Sequence, residues 1–463
     1  MAKQYLFLLG FFLCLGSSVF ATEAERPNVV IIIVDDLGWG DLSCYGGPNI
    51  RTPCIDTLSQ EGMRFTKFRA NSSVCSPSRA ALLSGMYPDR AGVPGVIRTH
   101  EPESCGFLLQ QQSLITLPEA LQKVGYQTAH IGKWHLGLES PNLPNERGFD
   151  FFHGFLGDMM EDYWNHLRHG INYMRRNGEA IDVAGTHATD LFTDWACEYL
   201  EDRAMKQDKP FFLYLSYNAP HDPVQPPPNV LERIKKREPD VSENRARLIA
   251  LIEHLDEGVG KVLTTLEKTG LDKNTLVIFL SDNGGPLNTE AYNGPHRDGK
   301  GSMYEGGLAI SCLARWNGKI KAGSVSEVEG VQLDIYPTVL ELAGVDLSTA
   351  RGTIFPQRLD GFSLLGILTG KETKLSERPL YFVRREASGY FGMKTNEAYI
   401  DGGWKILQNT PFSDREVYDL NSDPLETKEM SKESPPKFRE LEAKLRRQIQ
   451  EGGRVPWMPP AKD

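Results

Sequence analysis

Asn28-Val29-Val30-Ile31-Ile32-Ile33-Val34 runs directly into Asp35-Asp36-Leu37-Gly38-Trp39-Gly40. An unbroken β-branched run is the pattern of a strand buried on both faces, as in a parallel sheet covered by helices. Thr275-Leu276-Val277-Ile278-Phe279-Leu280-Ser281 repeats the pattern and ends in Asp282-Asn283-Gly284-Gly285. Gln127–Ile131, Phe211–Tyr217 and Leu308–Trp316 read as further strands, and Leu117–Val124 and Leu333–Ala343 as helices. Ile249, Ile252, Leu255, Val259, Val262, Leu263 and Leu266 recur at helical spacing and predict a long amphipathic helix over Ser242–Thr269. His254 and Asp256 on that helix read as scaffold. The fold class is α/β: a large mixed, mainly parallel sheet sandwiched by helices. From about residue 370 the pattern changes. Short strands at Leu380–Val383 and Trp404–Leu407, a turn at Asp401-Gly402-Gly403 and a polar helix near Pro436–Gln450 predict a smaller C-terminal α+β subdomain.

In open α/β sheets, ligands sit beyond the carboxyl ends of the strands. The pairs Asp35-Asp36 and Asp282-Asn283 both follow buried strands, so they can meet at one sheet edge, with glycines allowing close backbone approach. Their hard oxygen donors suit calcium or magnesium, and a set without His or thiol argues against zinc. An isolated Asp-Asp reads as readily as a polar turn.

Val74-Cys75-Ser76-Pro77-Ser78-Arg79-Ala80-Ala81-Leu82-Leu83-Ser84-Gly85 places a cysteine and an arginine at a helix start. Pro77 suits the first helical position, Ser76 suits the cap, and Gly85 suits the end. Cys75 then lies where free N–H groups favour an anion, and Arg79 adds a fork of donors matched to an oxyanion. A buried thiol capping an ordinary helix is the alternative. Three more segments carry cations or imidazoles: Gly132-Lys133-Trp134-His135-Leu136-Gly137, Asn218-Ala219-Pro220-His221-Asp222-Pro223 and Lys300-Gly301-Ser302-Met303-Tyr304-Glu305-Gly306-Gly307. Taken alone, the first reads more readily as a surface turn with a structural His, and Lys300 among glycines as an exposed lysine.

Together they resemble a known family. Cys75-Ser76-Pro77-Ser78-Arg79, followed by Ala-Ala-Leu-Leu-Ser-Gly, closely resembles the Cys-x-Pro-x-Arg sequence of the formylglycine-dependent sulfatases of the alkaline phosphatase superfamily. Gly132–Gly137 matches that family's Gly-Lys-Trp-His-Leu-Gly element, and Lys300–Gly307 resembles its Lys-Gly-x-x-x-Glu-Gly-Gly loop. Asp414–Glu426 also looks like the C-terminal part of sulfatases, so the resemblance covers nearly the whole mature chain.

The resemblance implies that a formylglycine-generating enzyme oxidises Cys75 to an aldehyde whose hydrate is the nucleophile. It implies one divalent ion, normally calcium, on Asp35, Asp36, Asp282 and Asn283. One diol oxygen, kept ionised by Arg79 and the metal, attacks sulfur to give a sulfate ester on residue 75. His221, with Lys300, protonates the departing alcohol, and His135 takes the proton from the second hydroxyl as sulfate leaves. Lys133, His221 and Lys300 also contact the substrate. The implied activity is hydrolysis of sulfate monoesters, on sulfated carbohydrates or on small aryl sulfates. Phosphate or phosphonate ester hydrolysis is the nearest alternative, and a non-catalytic glycan-binding protein is the alternative from another class.

The loops Val93–Gln112, Leu156–Asn177 and Pro286–Arg297 are where selectivity is expected. His100, Asp158, Glu161, His166, His296 and Arg297 are candidate substrate contacts, each equally readable as an ordinary loop residue. No serine between Gly157 and Asn165 matches the hydroxyl some family members place near the sulfate.

Residues 1–21 read as a secretory signal peptide: Lys3, the apolar run Leu6–Leu15, then Val19-Phe20-Ala21 at the cleavage point. The mature chain is expected to begin near Thr22, to be secreted or periplasmic, and to carry no membrane anchor, with a catalytic domain over 22–370 and the subdomain over 371–463. A formal charge of −10 argues against general binding to nucleic acid or anionic membranes. Of seven cysteines, Cys14 leaves with the signal and Cys75 is the modified one; the remaining five are not a disulfide framework, and Cys44–Cys54 is the nearest pair. The Asn71-Ser72-Ser73 sequon lies too close to Cys75 to carry a glycan. The sequence leaves the oligomeric state open.

Overall fold

A computed structural model describes residues 26–99, 114–206, 208–386 and 395–454. The signal segment, Cys14, His100 and Cys105 lie outside the described residues, as does part of the Val93–Gln112 loop. Ten strands form the main sheet, in the order Ser324–Ser326, Met63–Phe65, Cys312–Arg315, Thr275–Ser281, Asn28–Val34, Phe211–Ser216, Gln127–Lys133, Phe151–Phe155, Met174–Arg176, Glu179–Ala180. The five strands from Thr275–Ser281 to Phe151–Phe155 are mutually parallel. Val34 pairs with Ser281, and Ile33 with Ser216, so those strands end level with one another. Val29 to Val34 are all fully buried. Because successive side chains face opposite ways, both faces of the sheet are covered there.

The long helix is Glu243–Thr269, capped by the Ser242 hydroxyl, which accepts the Arg245 N–H at 3.0 Å, and ended by Gly270 at φ 73°. It packs against the helices Ala188–Lys206, Pro228–Arg237 and Pro53–Gln60. A second group joins Cys75–Ser84, Leu117–Lys123 and Ile335–Leu342.

Two expected elements are shorter than read. Leu308–Trp316 is a strand only over Cys312–Arg315, because Glu305–Leu308 forms a helical turn whose Gly307 carbonyl accepts the Gly284 N–H at 3.1 Å. The helix expected from Leu333 begins at Ile335, after a 3-10 turn in which the Asp334 carboxylate accepts the Val331 N–H.

The C-terminal part is a four-stranded antiparallel sheet of Leu380–Arg385, Thr395–Asp401, Trp404–Gln408 and Glu416–Asp419, with the helix Pro435–Gly452 burying Leu441 and Leu445. Asp401 pairs with Trp404 across Gly402-Gly403, both left-handed (φ 59° and 78°), as a two-residue hairpin turn requires. Its core takes in Met303, Tyr304 and Leu308 from the segment that follows Lys300.

Among the described residues Cys44, Cys54, Cys75, Cys197 and Cys312 are free thiols, so Cys44 and Cys54 are not bridged. Asn71 is fully buried and its Oδ1 accepts the Leu333 N–H at 2.9 Å, which leaves no room for a glycan. No helix among the described residues is long and apolar enough to cross a membrane.

Candidate active site

Parallel strands deliver Asp35-Asp36, Asp282-Asn283, Lys133 and Ser216 to one edge of the sheet. The Asp282 N–H extends the ladder to the Val34 carbonyl (3.0 Å), and the Asp36 N–H donates to Asp282 Oδ1 (3.1 Å). Asp36 is left-handed at φ 69°, a backbone state that Asp tolerates better than most residues. A Cβ on Gly284 would lie 2.0 Å from the Gly306 carbonyl oxygen, so only glycine lets these segments approach. Asn283 Nδ2 donates to Asp36 Oδ1 (2.7 Å) and to the Gly284 carbonyl (2.9 Å), which turns Asn283 Oδ1 the other way. That oxygen and Asp35 Oδ1 are buried and accept no hydrogen bond from the described residues. Buried acceptors without donors call for a cation, and an all-oxygen set fits a hard divalent ion.

The helix beside this edge starts at Cys75 itself, two residues earlier than the sequence suggests. Val74 occupies the cap position in extended conformation, and Ser76 does not cap: its Oγ accepts the Ile97 N–H at 3.1 Å. Pro77 falls inside the first turn, where its missing N–H has no partner to lose. Cys75 Sγ and carboxylate oxygens of Asp35 and Asp282 all lie within 4.8 Å of one another. Burial pushes the thiol up to about 11, although Lys133 and Lys300 pull the other way, so at neutral pH it is protonated and a poor nucleophile.

Arg79, one turn on, is fully buried. Its Nε and Nη2 fork onto Asp282 Oδ2 (3.1 and 2.8 Å), Nη1 reaches Ser216 Oγ and the Lys133 carbonyl (3.4 Å), and Nη2 lies 3.7 Å from Asp35. Burial works to raise both aspartates. Lys133, His221, Arg79 and Lys300 overcome it at Asp35, whereas at Asp282 the charge on Asp35 adds to it.

Lys133 Nζ bonds Asp35 Oδ2, and Lys300 Nζ bonds Asp36 Oδ2 at 2.6 Å. His221 closes the cluster, with Nε2 3.1 Å from Lys300 Nζ and 3.4 Å from Asp36 Oδ2. Its Nδ1 lies 2.7 Å from the Asp222 carbonyl, so Nδ1 carries the proton and Nε2 the lone pair. His135 is left-handed at φ 57° and places Nε2 2.8 Å from the Ile97 carbonyl. Nε2 is therefore protonated, and Nδ1 is a buried lone pair with no partner among the described residues. Burial, with Lys133 and Arg79 beside it, holds the His135 pKa well below the usual value; burial and Lys300 lower that of His221.

Other expected contacts are engaged elsewhere. His296 sets its ring edge-on to Trp39 (4.9 Å, 82°). Arg297 donates to Tyr418 Oη (3.0 Å) and the Glu426 carbonyl (2.9 Å) and lies 3.8 Å over the Tyr304 ring. It tethers a loop to the C-terminal sheet. Asp158 is buried against Arg168 (3.0 Å) and Thr99, Glu161 pairs loosely with Arg168 (3.5 Å), and His166 Nε2 meets the Thr186 carbonyl (3.0 Å). Asp256 is scaffold as read: its carboxylate accepts the Cys54 and Ile55 N–H groups (3.2 and 2.7 Å).

Several contributors escape sequence reading. Gln332 Nε2 holds the carbonyls of Ser281 and Asp282 (2.9 and 3.0 Å), and the buried hydroxyls of Ser72 and Ser73 are unpartnered beside the Cys75 helix. Ser216, which binds Arg79, carries a sequence signal that these lack, its place at the end of a buried strand.

A family model described as Sulfatase matches residues 27–345, and one described as N-sulphoglucosamine sulphohydrolase, C-terminal, matches residues 297–454. The chain belongs to the sulfatase family. It is 33% identical over 389 residues to mouse N-acetylgalactosamine-6-sulfatase, spanning 79% of this chain and 70% of the relative. It is 34% identical over 417 residues to human arylsulfatase A, spanning 81% and 74%. The solved structure of Ps i-CgsB in complex with k-i-k-neocarrahexaose superposes with a TM-score of 0.81 at 28% identity, over 92% of this chain and 93% of that one. The PsFucS1 sulfatase from Pseudoalteromonas sp. gives 0.76 at 26% identity, over 95% and 92%. This sulfatase is a sulfuric ester hydrolase.

Proposed function

We propose that this sulfatase is exported and removes sulfate from sulfated carbohydrates, with residue 75 matured to formylglycine. The observation that carries the reading is the placement of Cys75 at a helix start within 4.8 Å of Asp35 and Asp282, ringed by Arg79, Lys133 and Lys300. Carbohydrate as substrate is supported by the names of the relatives, among them N-acetylgalactosamine-6-sulfatase, and by the neocarrahexaose complex of a structural neighbour.

Asp35, Asp36, Asp282 and Asn283 are the residues that would hold a calcium ion, whose charge would offset that of a sulfate oxygen. Formylglycine, when hydrated, supplies an oxygen nucleophile and a second hydroxyl that the protonated Cys75 thiol lacks. Arg79 fixes Asp282 and keeps positive charge under the nucleophile, while Lys133 and Lys300 neutralise Asp35 and Asp36 and face the anionic head of the ester. His221 Nε2, in contact with Lys300 Nζ, receives a proton there and delivers it to the leaving alcohol. His135 is oriented by the Ile97 carbonyl so that Nδ1 is the basic nitrogen, and it takes the proton from residue 75 as sulfate departs.

Residues 22–370 form the catalytic unit in this reading, and 371–463 a subdomain that steadies the Lys300 loop. Asn396 Nδ2 donates to the Gly301 carbonyl (3.1 Å), and Asn409 Oδ1 accepts the Met303 N–H (2.6 Å). Sulfate release from sulfated oligosaccharides, followed beside paired nitrophenyl sulfate and nitrophenyl phosphate esters, tests the proposal. Sulfate release with little phosphate release is expected; faster phosphodiester turnover, or no release from any sulfated sugar, would overturn it.

A further inference from the structure

The helices Ala188–Lys206 and Glu243–Thr269 pack side by side, and a second cluster of ligating side chains sits between them. His187 and Asp190 are three residues apart at the start of the first helix, which places them on one face. His254 comes across from the second. One ligand atom from each, two imidazole nitrogens and a carboxylate oxygen, lies within 4.8 Å of the other two.

The Gln225 carbonyl fixes the tautomer of His187. His187 Nε2 lies 3.1 Å from the Gln225 carbonyl, which only accepts, so Nε2 carries the proton and Nδ1 the lone pair. A carbonyl behind the ring is the usual support for a ligating histidine. Among the described residues the Nδ1 lone pair is drawn on only by the Thr189 N–H, at 3.2 Å. His254 is 8% exposed, and its Nε2 has no aligned hydrogen-bond partner although Asp190 Oδ1 is 3.4 Å away. The buried Thr189 hydroxyl is likewise unpartnered. Asp190 is partly exposed and gives a path from solvent.

We infer that His187, Asp190 and His254 form a second metal site, of the zinc type, separate from the oxygen-lined site beside Cys75. Two imidazoles and one carboxylate select a borderline transition ion over calcium, the reverse of the Asp35, Asp36, Asp282, Asn283 set. Its position gives it a structural role next to the active site. His187 stacks on Tyr163 (5.0 Å, 26°), whose hydroxyl donates to the carbonyls of Asn218 and His221 (both 2.9 Å) and whose N–H donates to Gln225 Oε1 (2.9 Å). An ion here would pin two helices and the base of the loop that carries His221.

The test uses the full protein in excess calcium, which fills the oxygen-lined site, titrated with Co2+ as a spectroscopic stand-in for zinc. One Co2+ per chain is expected, with the visible absorption of nitrogen and oxygen coordination, displaced by Zn2+. His254→Gln and Asp190→Asn should each weaken binding by at least about 10–100-fold, the loss that even an outer-shell change brings. Cys75→Ala should leave it unchanged. Should His254→Gln fail to fold, Asp190→Asn at the partly exposed carboxylate decides. No visible band with the wild-type protein, or undiminished Co2+ binding in Asp190→Asn, would overturn the inference.

Discussion

Arg79→Lys isolates what the guanidinium fork does. Arg79 spends two N–H groups on Asp282, one on Ser216 Oγ and a longer one on the Lys133 carbonyl, all without solvent contact. A lysine ammonium keeps the charge and reaches Asp282, but one nitrogen on a flexible stem cannot also serve Ser216 and the Lys133 carbonyl. Each lost bond is worth about 1 kcal/mol net, and each buried acceptor left bare costs about 1–3 kcal/mol. A loss of about 3–4 kcal/mol is expected, short of the whole stability of a native protein. Urea unfolding in saturating calcium, followed by tryptophan fluorescence, reads it as a shift of midpoint at constant slope. The same fork orients Asp282 next to residue 75, so kcat should fall about 100-fold, which corresponds to about 2.7 kcal/mol of transition-state stabilisation. A variant within about 1 kcal/mol of wild type that also keeps kcat within about threefold would refute the reasoning, because breaking a buried charge pair costs about 3–5 kcal/mol.

Cys75→Ala should abolish sulfate release while leaving the thermal unfolding midpoint in calcium nearly unchanged; residual turnover above background would contradict the nucleophile. Lys405 is fully buried between Glu305 (2.9 Å) and Glu426 (2.7 Å), so Lys405→Met strands two acids and should cost about 3–5 kcal/mol. Lys444, partly exposed between Asp401 and Glu440, should lose no more than about 1 kcal/mol on the same change, and equal losses would contradict the burial argument. His130 is packed among Trp134, Phe149, Phe152 and Tyr214, and burial lowers its pKa to about 3. The folded state thus binds the proton more weakly than the unfolded chain: this stability is fully present above about pH 6.5 and is lost as pH falls towards 3. Between pH 7 and 5 it amounts to about 2 kcal/mol, and His130→Gln should flatten the pH dependence of stability by that much.

The strands Asn28–Val34 and Thr275–Ser281 were legible to the residue, because a run buried on both faces has no polar position to blur its ends. The metal-type cluster was legible for the same reason, since its members directly follow those strands. Helix caps were less so. Ser242 behaves as a cap, but Ser76 is drawn away by the Ile97 N–H, a partner twenty-one residues on that no local rule reveals. Arg297 and His296 read as pocket residues because they sit in a polar loop near Lys300. Their side chains meet Tyr304, Tyr418 and Trp39, partners that the loop's own sequence does not name. The buried ion group of Arg69, Glu305, Lys405 and Glu426 was hidden likewise, its members spread from β-strand to loop across the chain.

The central claim is the chemistry of residue 75, and the mass of the tryptic peptide Ala70–Arg79 from protein made by its own host tests it most directly. A peptide lighter than the cysteine form, captured by an aldehyde-reactive hydrazide, is the predicted result. Only the unmodified cysteine peptide, from fully active enzyme, would contradict the account.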